Sequence, residues 1–508
     1  MSLTTDTIAL IDTLRFIDTA AISDTLSAAA GLDQTAGPEE PLLLKTADYL
    51  IIAAYFLLIL VVGALTGRKQ EKEEFLISGR KLTSIQATTT IFSSRIGAAI
   101  LLTYTALVYL YGMGALWYFV GSVFGLFVFY FFGLRVKRLA DREKFYTMPD
   151  FFFFLKGKTA GYLATIVTII IMFGWVVLNF TAGGKLVSEY TPISYNWSVL
   201  IVGMIILVYL VLGGFDAVVK TDIVQTFGIF LLFVLMMYLL INPEYARPQL
   251  HFSDLFNIPV MKLVSFFLAG FFIPLASPEL WQRVYAIKDR KHFGRSIFMS
   301  SLFYIVVGFI LLLVGLVIRA EEPGLDENVS LIVGFSKLLP TILAGLSVVI
   351  IYSSVSSSAD TYMFTASASL TQDFFEKVGF TKKENLRKTM RFSLLGLMIL
   401  GIIMALLLKD LVDTTFFFVS LTMSLGLLVL ALWIYPRLNR LSVNLSILFC
   451  LIGVIVPSLA IGISEIGENL VIWAFGFCIA GIVLGLIINP FLKKKPIQQQ
   501  ETGGRSDW

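Results

Sequence analysis

Cysteine and histidine are scarce in this chain of 508 residues, which contains two of each. Cys450 and Cys478 both lie in apolar runs, so the sequence supports neither a disulfide framework nor a thiolate metal site. His251 and His292 lie in predicted loops, and we therefore do not expect zinc chemistry. The sequence shows no nucleophile–base pair that would indicate an enzyme.

A phosphate-binding loop is missing as well. Gly157-Lys158-Thr159 resembles the end of such a loop, but Phe152 occupies the position of its leading glycine, so we do not expect ATP-driven chemistry. Charged residues make up only 15% of the chain and the net charge is +4, whereas 57% of the residues are hydrophobic. This composition is typical of a polytopic membrane protein and not of a soluble domain.

Apolar segments bounded by charged and turn residues predict about thirteen transmembrane helices. Connectors rich in Lys and Arg alternate along the chain with connectors that contain few. Because basic loops stay in the cytoplasm, this alternation predicts an N-terminus outside and a C-terminus in the cytoplasm. The predicted helices lie at 46–67, 84–112, 114–137, 160–190, 196–214, 218–241, 260–286, 296–319, 340–372, 389–408, 412–434, 443–463 and 469–491.

Two terminal segments lie outside these helices. Residues 1–45 are acidic and rich in Thr, which predicts an extracytoplasmic extension, and residues 492–508 form a polar cytoplasmic tail. The N-terminus lacks a basic region, an apolar core and a cleavage site in sequence, so no cleaved signal peptide is expected. A first helix at 46–67 precedes the central helices, and two helices at 443–491 follow them.

The ten central helices form two sets of five, at 84–241 and 260–434. Since five is odd, the second set enters the membrane with the opposite orientation, and such inverted repeats imply alternating access. The first helix of each set is interrupted, by small and polar residues at 92–99 and by Pro274 and Pro278. Each proline removes a backbone donor, which favours a broken helix. A simple proline kink is the alternative.

The apolar segment 340–372 contains an unusual number of hydroxyl groups. Ser353, Ser356, Ser357 and Asp360 recur at helical spacing, so one helix face carries three hydroxyl groups and a carboxylate. In hydrocarbon such a face costs free energy unless a partner satisfies it. Oxygen ligands alone suit a hard cation. The row is therefore either an ion site or a hydrogen-bonded contact between helices.

Five segments, taken together and in order, resemble the sodium/solute symporter family, which carries sugars, proline, pantothenate, sialic acid and monocarboxylates. These segments are 75–82, 146–151, 213–225, 282–283 and 353–373. The resemblance covers about 46–490. It implies an all-α membrane protein of the leucine-transporter type, with a five-plus-five inverted repeat and a broken first helix in each repeat.

The resemblance also implies two sodium sites. The ligands of the first would be the backbone carbonyls of Ser93, Ile96 and Ile350 and the hydroxyl groups of Ser353 and Ser354. The ligands of the second, which is similar to a site in some members, would be Asp222, Ser353, Ser356 and Ser357. A carboxylate suits this position because hydroxyl groups alone must otherwise replace a hydration shell. Asp222 could instead cap a helix at a cytoplasmic turn.

Arg95 departs from the family's pattern, in which an aspartate, a tryptophan or another uncharged residue lies beside the substrate. A guanidinium stays protonated, so at mid-membrane it needs an anion. It could bind a substrate carboxylate, pair with Glu279, or replace sodium as a tethered cation. The intact serines argue against the third interpretation. The candidate substrate-binding residues are Arg95, Gly97, Trp175, Asn179, Ser277 and Glu279.

These inferences favour a sodium-coupled symporter that imports a small organic solute, such as an organic acid, an amino acid or an acidic sugar. The alternatives are a solute sensor on the same fold and a symporter of a neutral sugar, in which Arg95 and Glu279 form a structural ion pair. A sensor usually carries a cytoplasmic module, and the tail after Ile488 is too short to fold as one. We expect a multi-pass protein of the cell or inner membrane that functions as a monomer. Sodium is the expected coupling ion, and neither another cofactor nor a nucleic-acid partner is expected.

Overall fold

The computed structural model describes residues 72–245, 247, 250–382 and 385–492, together with 54, 55, 57–59, 61 and 62. Within these residues no β-strand forms, and a single bridge joins Leu82 to Ile287. The predicted all-α class is therefore confirmed. The extension 1–45, most of the helix predicted at 46–67 and the tail from 493 onwards lie outside the described residues.

Seventeen α-helices lie between residues 72 and 492 of the described chain, and π-helical turns at Ala99–Tyr104 and Ser369–Glu376 adjoin α3 and α12. The bounds are α1 Lys72–Ile77, α2 Ser84–Arg95, α3 Thr105–Tyr111, α4 Leu116–Glu143, α5 Met148–Lys156, α6 Lys158–Tyr190, α7 Tyr195–Ile241, α8 Val260–Leu275, α9 Pro278–Ala286, α10 Arg290–Glu321, α11 Ser330–Leu338, α12 Thr341–Ala368, α13 Leu386–Leu407, α14 Leu411–Ile434, α15 Arg440–Ala460, α16 Ile463–Ile466 and α17 Leu470–Ile488.

Ten helical stretches among the described residues are long and apolar enough to cross a membrane, compared with about thirteen predicted. The predicted span 46–67 lies mostly outside the described residues. The predicted span 84–112 is interrupted after Arg95, and 196–214 is represented only by the shorter apolar helix Tyr195–Val208. The multi-pass class is established, while the count of thirteen and the five-plus-five repeat stay predictions.

The 47 residues of α7 cover the two spans predicted at 196–214 and 218–241. A straight helix of this length would measure about 70 Å. Both ends of α7, however, lie at the same end of the protein, because the hydroxyl groups of Tyr195 and Tyr245 donate to the carbonyls of Ala405 and Leu338. Those two carbonyls belong to the same end of the protein, since Asn328, just before α11, is hydrogen-bonded to the start of α14, which directly follows α13. The chain therefore reverses within α7, as two antiparallel spans require.

Two helices are broken at their centres, as the sequence predicts. Helix α2 ends at Arg95, and the backbone of Ile96 leaves the helical region with φ −92° and ψ 57° before a π-helical turn begins at Ala99. Helix α8 ends at Leu275, and Pro278 opens α9 at a position where a missing N–H costs little.

The connectors that carry most of the Lys and Arg residues meet at one end of the protein, which we call the basic end. The backbone N–H of Leu82 donates to the carbonyl of Ala286, and Arg80 donates to the carbonyl of Phe145 at 2.7 Å. Lys156 donates to the carbonyl of Leu438 at 2.6 Å. This convergence agrees with the charge pattern of the sequence, and the assignment of the basic end to the cytoplasm stays a prediction.

Candidate ion and solute sites

The break after α2 lies directly against α12. The hydroxyl of Ser354 donates to the carbonyl of Ile96, and the hydroxyl groups of Ser358 and Tyr362 both donate to the carbonyl of Ser94 at 3.1 Å. A carbonyl at a helix end lacks its intrahelical partner, and here α12 supplies hydroxyl groups instead. A Cβ atom at Gly97 would lie 2.2 Å from the Ser358 Oγ atom, so this close approach requires glycine.

Of the five residues predicted as ligands of the first sodium site, Ile96 and Ser354 contact each other here. Ile96 and Ser354 touch directly, and the Ser93 carbonyl accepts from the Ile96 N–H at 3.2 Å. Ile350 is buried one helical turn before Ser354. The Oγ atom of Ser353 is buried and has no hydrogen-bond partner among the described residues. An unpartnered hydroxyl in a dry oxygen cluster fits a hard cation such as sodium.

Asp222 lies at the centre of a second buried polar cluster, which we call the Asp222 cluster. Its Oδ1 atom accepts from the Ser357 hydroxyl at 2.5 Å, and its Oδ2 atom accepts from the Thr90 hydroxyl and from the Arg283 Nη2 atom, the latter at 3.2 Å. Arg283 also donates to the Thr361 hydroxyl at 2.7 Å and to the Thr90 carbonyl at 3.1 Å. The guanidinium of α9 therefore neutralises the carboxylate that the sequence predicts as a sodium ligand.

Three serines are predicted beside Asp222, and of these Ser357 donates a hydrogen bond to it. The Ser356 hydroxyl instead accepts from the Gln225 Nε2 atom at 3.1 Å and lies 3.1 Å from the Tyr55 hydroxyl. Asp222 lies inside the span Val218–Ile241 and not at its start, so the alternative of a helix N-cap is wrong.

Arg95 faces a small cavity between α2, α4, α6 and the second break. Its volume is about 30 Å³, which is room for one or two water molecules and not for a solute. Of the six predicted substrate-binding residues, four line this cavity, namely Arg95, Trp175, Ser277 and Glu279. The sequence analysis missed the other lining residues, which are Ala99, Ile100, Tyr118, Ser122, Ile273, Tyr304 and Tyr362.

The two charged side chains in this cavity keep some of their polar atoms unsatisfied. The Nε and Nη2 atoms of Arg95 and the Oε2 atom of Glu279 are buried without a hydrogen bond to any described residue. The ion pair that was one interpretation of Arg95 is thus not formed in this structure, although both side chains line one cavity. Burying a charge without a partner costs several kcal/mol, so both groups are suited to bind something that enters here.

The two remaining predicted residues, Asn179 and Gly97, lie beside the cavity and do not line it. The Asn179 Oδ1 atom accepts from the Ala98 N–H at 3.2 Å, where the helix resumes after the break, and its Nδ2 atom donates to the Trp175 carbonyl at 2.7 Å. Asn179 therefore holds the backbone of the break in place. Gly97 allows the same segment to approach Ser358 on α12.

Two helices broken at their centres, with hydroxyl, carbonyl and charged groups gathered at the breaks, define a membrane transporter of the leucine-transporter type. The chain belongs to the sodium:solute symporter family, whose profile matches residues 75–434. It is a multi-pass membrane protein of a family that couples the transport of small solutes to sodium, and its relatives are transporters.

Two relatives are about one quarter identical to this chain over the residues that align. The chain is 25% identical over 367 residues to sodium/proline symporter 2 of Staphylococcus saprophyticus, across 65% of this chain and 68% of the relative. It is 24% identical over 341 residues to the sodium/pantothenate symporter of Haemophilus influenzae, across 63% and 69%.

Solved structures support the same fold. A substrate-bound, outward-open Na⁺-coupled sialic acid symporter aligns with a TM-score of 0.72 at 13% identity, across 88% of this chain and 98% of that one. A nucleobase-cation-symport-1 family transporter in a closed conformation aligns with a TM-score of 0.56 at 12% identity, across 83% and 96%. At such low identity these likenesses concern the fold alone.

Proposed function

We propose that this protein imports a carboxylate-bearing solute together with sodium, and that Arg95 binds the carboxylate. The observation that carries the proposal is the pair of buried, unpartnered donors of Arg95 at the break after α2. A guanidinium at mid-membrane costs at least about 2.5–3.5 kcal/mol on insertion scales, so it needs a compensating anion. A carboxylate binds the planar fork through two charge-assisted hydrogen bonds and supplies that anion.

Glu279 makes a zwitterionic amino acid the best candidate within this class. Its Oε2 atom is buried in the same cavity without a hydrogen-bond partner among the described residues. A simple organic anion would leave this carboxylate unpaired, whereas the ammonium group of an amino acid would neutralise it. The opposite charges of Arg95 and Glu279 thus match the two charges of one small solute.

The names of the relatives agree with a carboxylate-bearing solute. Proline, pantothenate and sialic acid, named for three similar transporters, all contain a carboxylate. Those substrates belong to those proteins, and they support the substrate class proposed for this chain without identifying the solute. A transporter of neutral sugars would have no use for the unsatisfied charged atoms of Arg95 and Glu279, and a sensor of the same solute would bind it without uptake.

Sodium would act through the contact between Ile96 and Ser354, two of the residues predicted as ligands of the first site. Ile96 directly follows Arg95, so an ion held by its carbonyl fixes the backbone that carries the guanidinium. This arrangement gives a physical coupling between the ion and the solute. Because the cavity of about 30 Å³ is too small for a solute, the halves of the broken helices must move for it to enter.

Uptake by purified protein in proteoliposomes tests this proposal. The panel comprises labelled amino acids, organic acids, acidic sugars and neutral hexoses, each with and without an inward sodium gradient. Arg95→Lys should weaken uptake because a point charge cannot reproduce the fork, and Arg95→Ala should abolish it. Glu279→Gln should reduce uptake of amino acids selectively. Normal uptake by Arg95→Ala, sodium-independent uptake, or a neutral solute would overturn the proposal.

A further inference from the structure

A cavity between α4 and α10 opens towards the outside of the helix bundle. Its volume is about 310 Å³, and Phe127, Phe131, Phe298 and Leu302 are among the side chains that line it. Phe127 and Phe298 are each 62% exposed, although both helices belong to stretches long and apolar enough to cross a membrane. This cavity, which we call the α4–α10 groove, therefore faces the hydrocarbon of the bilayer.

Aromatic contacts fix how the two antiparallel helices lie beside each other. Phe119 stacks on Tyr304 with ring centroids 5.0 Å apart, and Tyr130 stacks on Phe293 at 6.3 Å. The second pair lies towards the basic end, because α4 approaches that end at its C-terminus and α10 leaves it at its N-terminus. The groove thus runs along the membrane normal and ends near Tyr130, close to the basic end.

Exposed cations continue the groove at this end. On α4, two arginines follow Phe127 and Phe131 at helical spacing. On α10, a lysine and an arginine precede Phe298 and Leu302 at the same spacing. The four cations are Arg135, Arg138, Lys291 and Arg295, all of them exposed.

These cations differ from their neighbours in having no acidic partner. Lys137 and Arg142, on the same helix, pair with Asp141 and Glu143 at 2.7 Å. None of the four groove cations forms an ion pair with a described residue, and Arg135 alone lies over an aromatic ring, that of Trp433. The α4–α10 groove therefore consists of an apolar slot, lined by the side chains named above, and a positively charged rim, formed by these four cations at its basic end.

We propose that the α4–α10 groove binds an anionic phospholipid, with an acyl chain in the slot and the headgroup phosphate on Arg138, Lys291 and Arg295. Any acyl chain could fill the apolar part, but the charged rim selects an anionic headgroup. Basic side chains at a membrane surface each favour anionic lipids by about fivefold, so three of them favour such a lipid by about a hundredfold.

The bound lipid would contact the two helices that pack against the broken helices. Helix α10 packs against α2 through Phe303 and Phe92, whose ring centroids are 5.6 Å apart. Helix α4 packs against α8 so closely that a Cβ atom at Gly121 would lie 2.2 Å from the Phe267 carbonyl oxygen. A lipid that joins α4 to α10 thus joins the helices that support the two breaks.

Native mass spectrometry of the purified full chain tests this site, with dioleoyl phosphatidylglycerol and dioleoyl phosphatidylcholine added separately. We expect the wild type to retain phosphatidylglycerol selectively. The double variant Arg138→Gln/Arg295→Gln should reduce its affinity by about thirtyfold. Ser301→Trp, which fills the slot, should also reduce it, whereas Ser301→Ala should not.

Arg437→Gln is the matched control, because Arg437 is an exposed arginine in the connector between α14 and α15, and no residue of that connector lines the groove. It should bind phosphatidylglycerol as the wild type does. Equal retention of both lipids, or an equal loss in the Arg437 variant, would overturn the proposal, since binding would then depend on apolar area or on diffuse charge. Size-exclusion chromatography and thermal unfolding establish that each variant is folded.

Discussion

Replacing Arg283 by glutamine should destabilise the protein strongly. The guanidinium is 1% exposed and its partner Asp222 is fully buried, so the substitution leaves an unpaired carboxylate in the protein interior. Breaking a buried ion pair in this way costs about 3–5 kcal/mol. The hydrogen bonds of Arg283 to Thr361 and to the Thr90 carbonyl are lost too, at about 1 kcal/mol each.

Thermal unfolding in detergent, followed by intrinsic fluorescence, measures this effect. A loss of this size should lower the midpoint by roughly 5 °C or more. The double variant Asp222→Asn/Arg283→Gln should recover most of the loss, because no charge remains buried. Lys337→Gln, which breaks a partly exposed ion pair with Glu322, is the control and should cost less than about 1 kcal/mol. If Arg283→Gln unfolds at the same temperature as this control, the Asp222 cluster does not hold a buried charge pair.

The same variant tests whether the Asp222 cluster accepts sodium. With Arg283 replaced, a sodium ion could neutralise Asp222 with the help of the Ser357 and Thr90 hydroxyl groups. Sodium should then stabilise Arg283→Gln more than the wild type, by about 2.7 kcal/mol at a concentration a hundred times the dissociation constant. Choline should have no such effect. Equal stabilisation of both proteins by sodium would refute the predicted second set of ligands.

Three further variants test the contact between Ile96 and Ser354, the first break and the basic end. Ser354→Ala should raise the sodium concentration for half-maximal uptake by about tenfold without loss of folding, because it removes a hydroxyl from the Ile96 carbonyl; an unchanged sodium dependence would contradict this. Gly97→Ala should abolish uptake, since its Cβ atom would lie 2.2 Å from the Ser358 Oγ atom, and adding Ser358→Gly should restore part of it. Burial, and then the charge of Arg440, lower the pKa of Lys156 from 10.5 to about 8. Between these values the unfolded chain binds more protons, so thermal stability should rise from pH 8 to 10.5 by an increment that Lys156→Met lacks.

The positions of the two breaks follow from local sequence. Pro278 lacks an N–H and is suited to the first turn of a helix, which favours an end of α8 shortly before it, whereas Pro274 lies inside α8. At the first break, Gly97 is the residue whose missing side chain allows the backbone to approach α12. Such features act within one turn, and the sequence therefore predicts them well.

The partners of the buried polar groups depend on packing between distant segments. Asp222 bonds Thr90 from α2 and Arg283 from α9, which are far apart in the sequence. The Gln-Arg dipeptide was recognised as a motif, yet nothing in its spacing indicates which carboxylate Arg283 reaches. The signal that could have indicated a buried partner for Arg283 was the presence of a guanidinium in a largely apolar span, which also contains Glu279.

The composition of the solute cavity was predicted only in part, for a related reason. Charged and polar residues at the breaks, such as Arg95, Ser277 and Glu279, are conspicuous in apolar surroundings. Tyr118 and Tyr304 line the same cavity, but an aromatic side chain in a membrane helix has the same spacing whether it packs or binds. The absence of a direct Arg95–Glu279 ion pair depends on how far apart the two breaks lie, which sequence periodicity does not specify.

The most direct test compares uptake of the transported acid with uptake of its carboxamide, in the wild type and in Arg95→Ala. The carboxamide keeps the shape of the solute and removes only the charge that Arg95 is proposed to bind. The wild type should prefer the acid by a factor of about a hundred or more in kcat/KM, because two charge-assisted hydrogen bonds are at stake. In Arg95→Ala any residual uptake should show a ratio near one. The same preference for the acid in both proteins would contradict the assignment of Arg95.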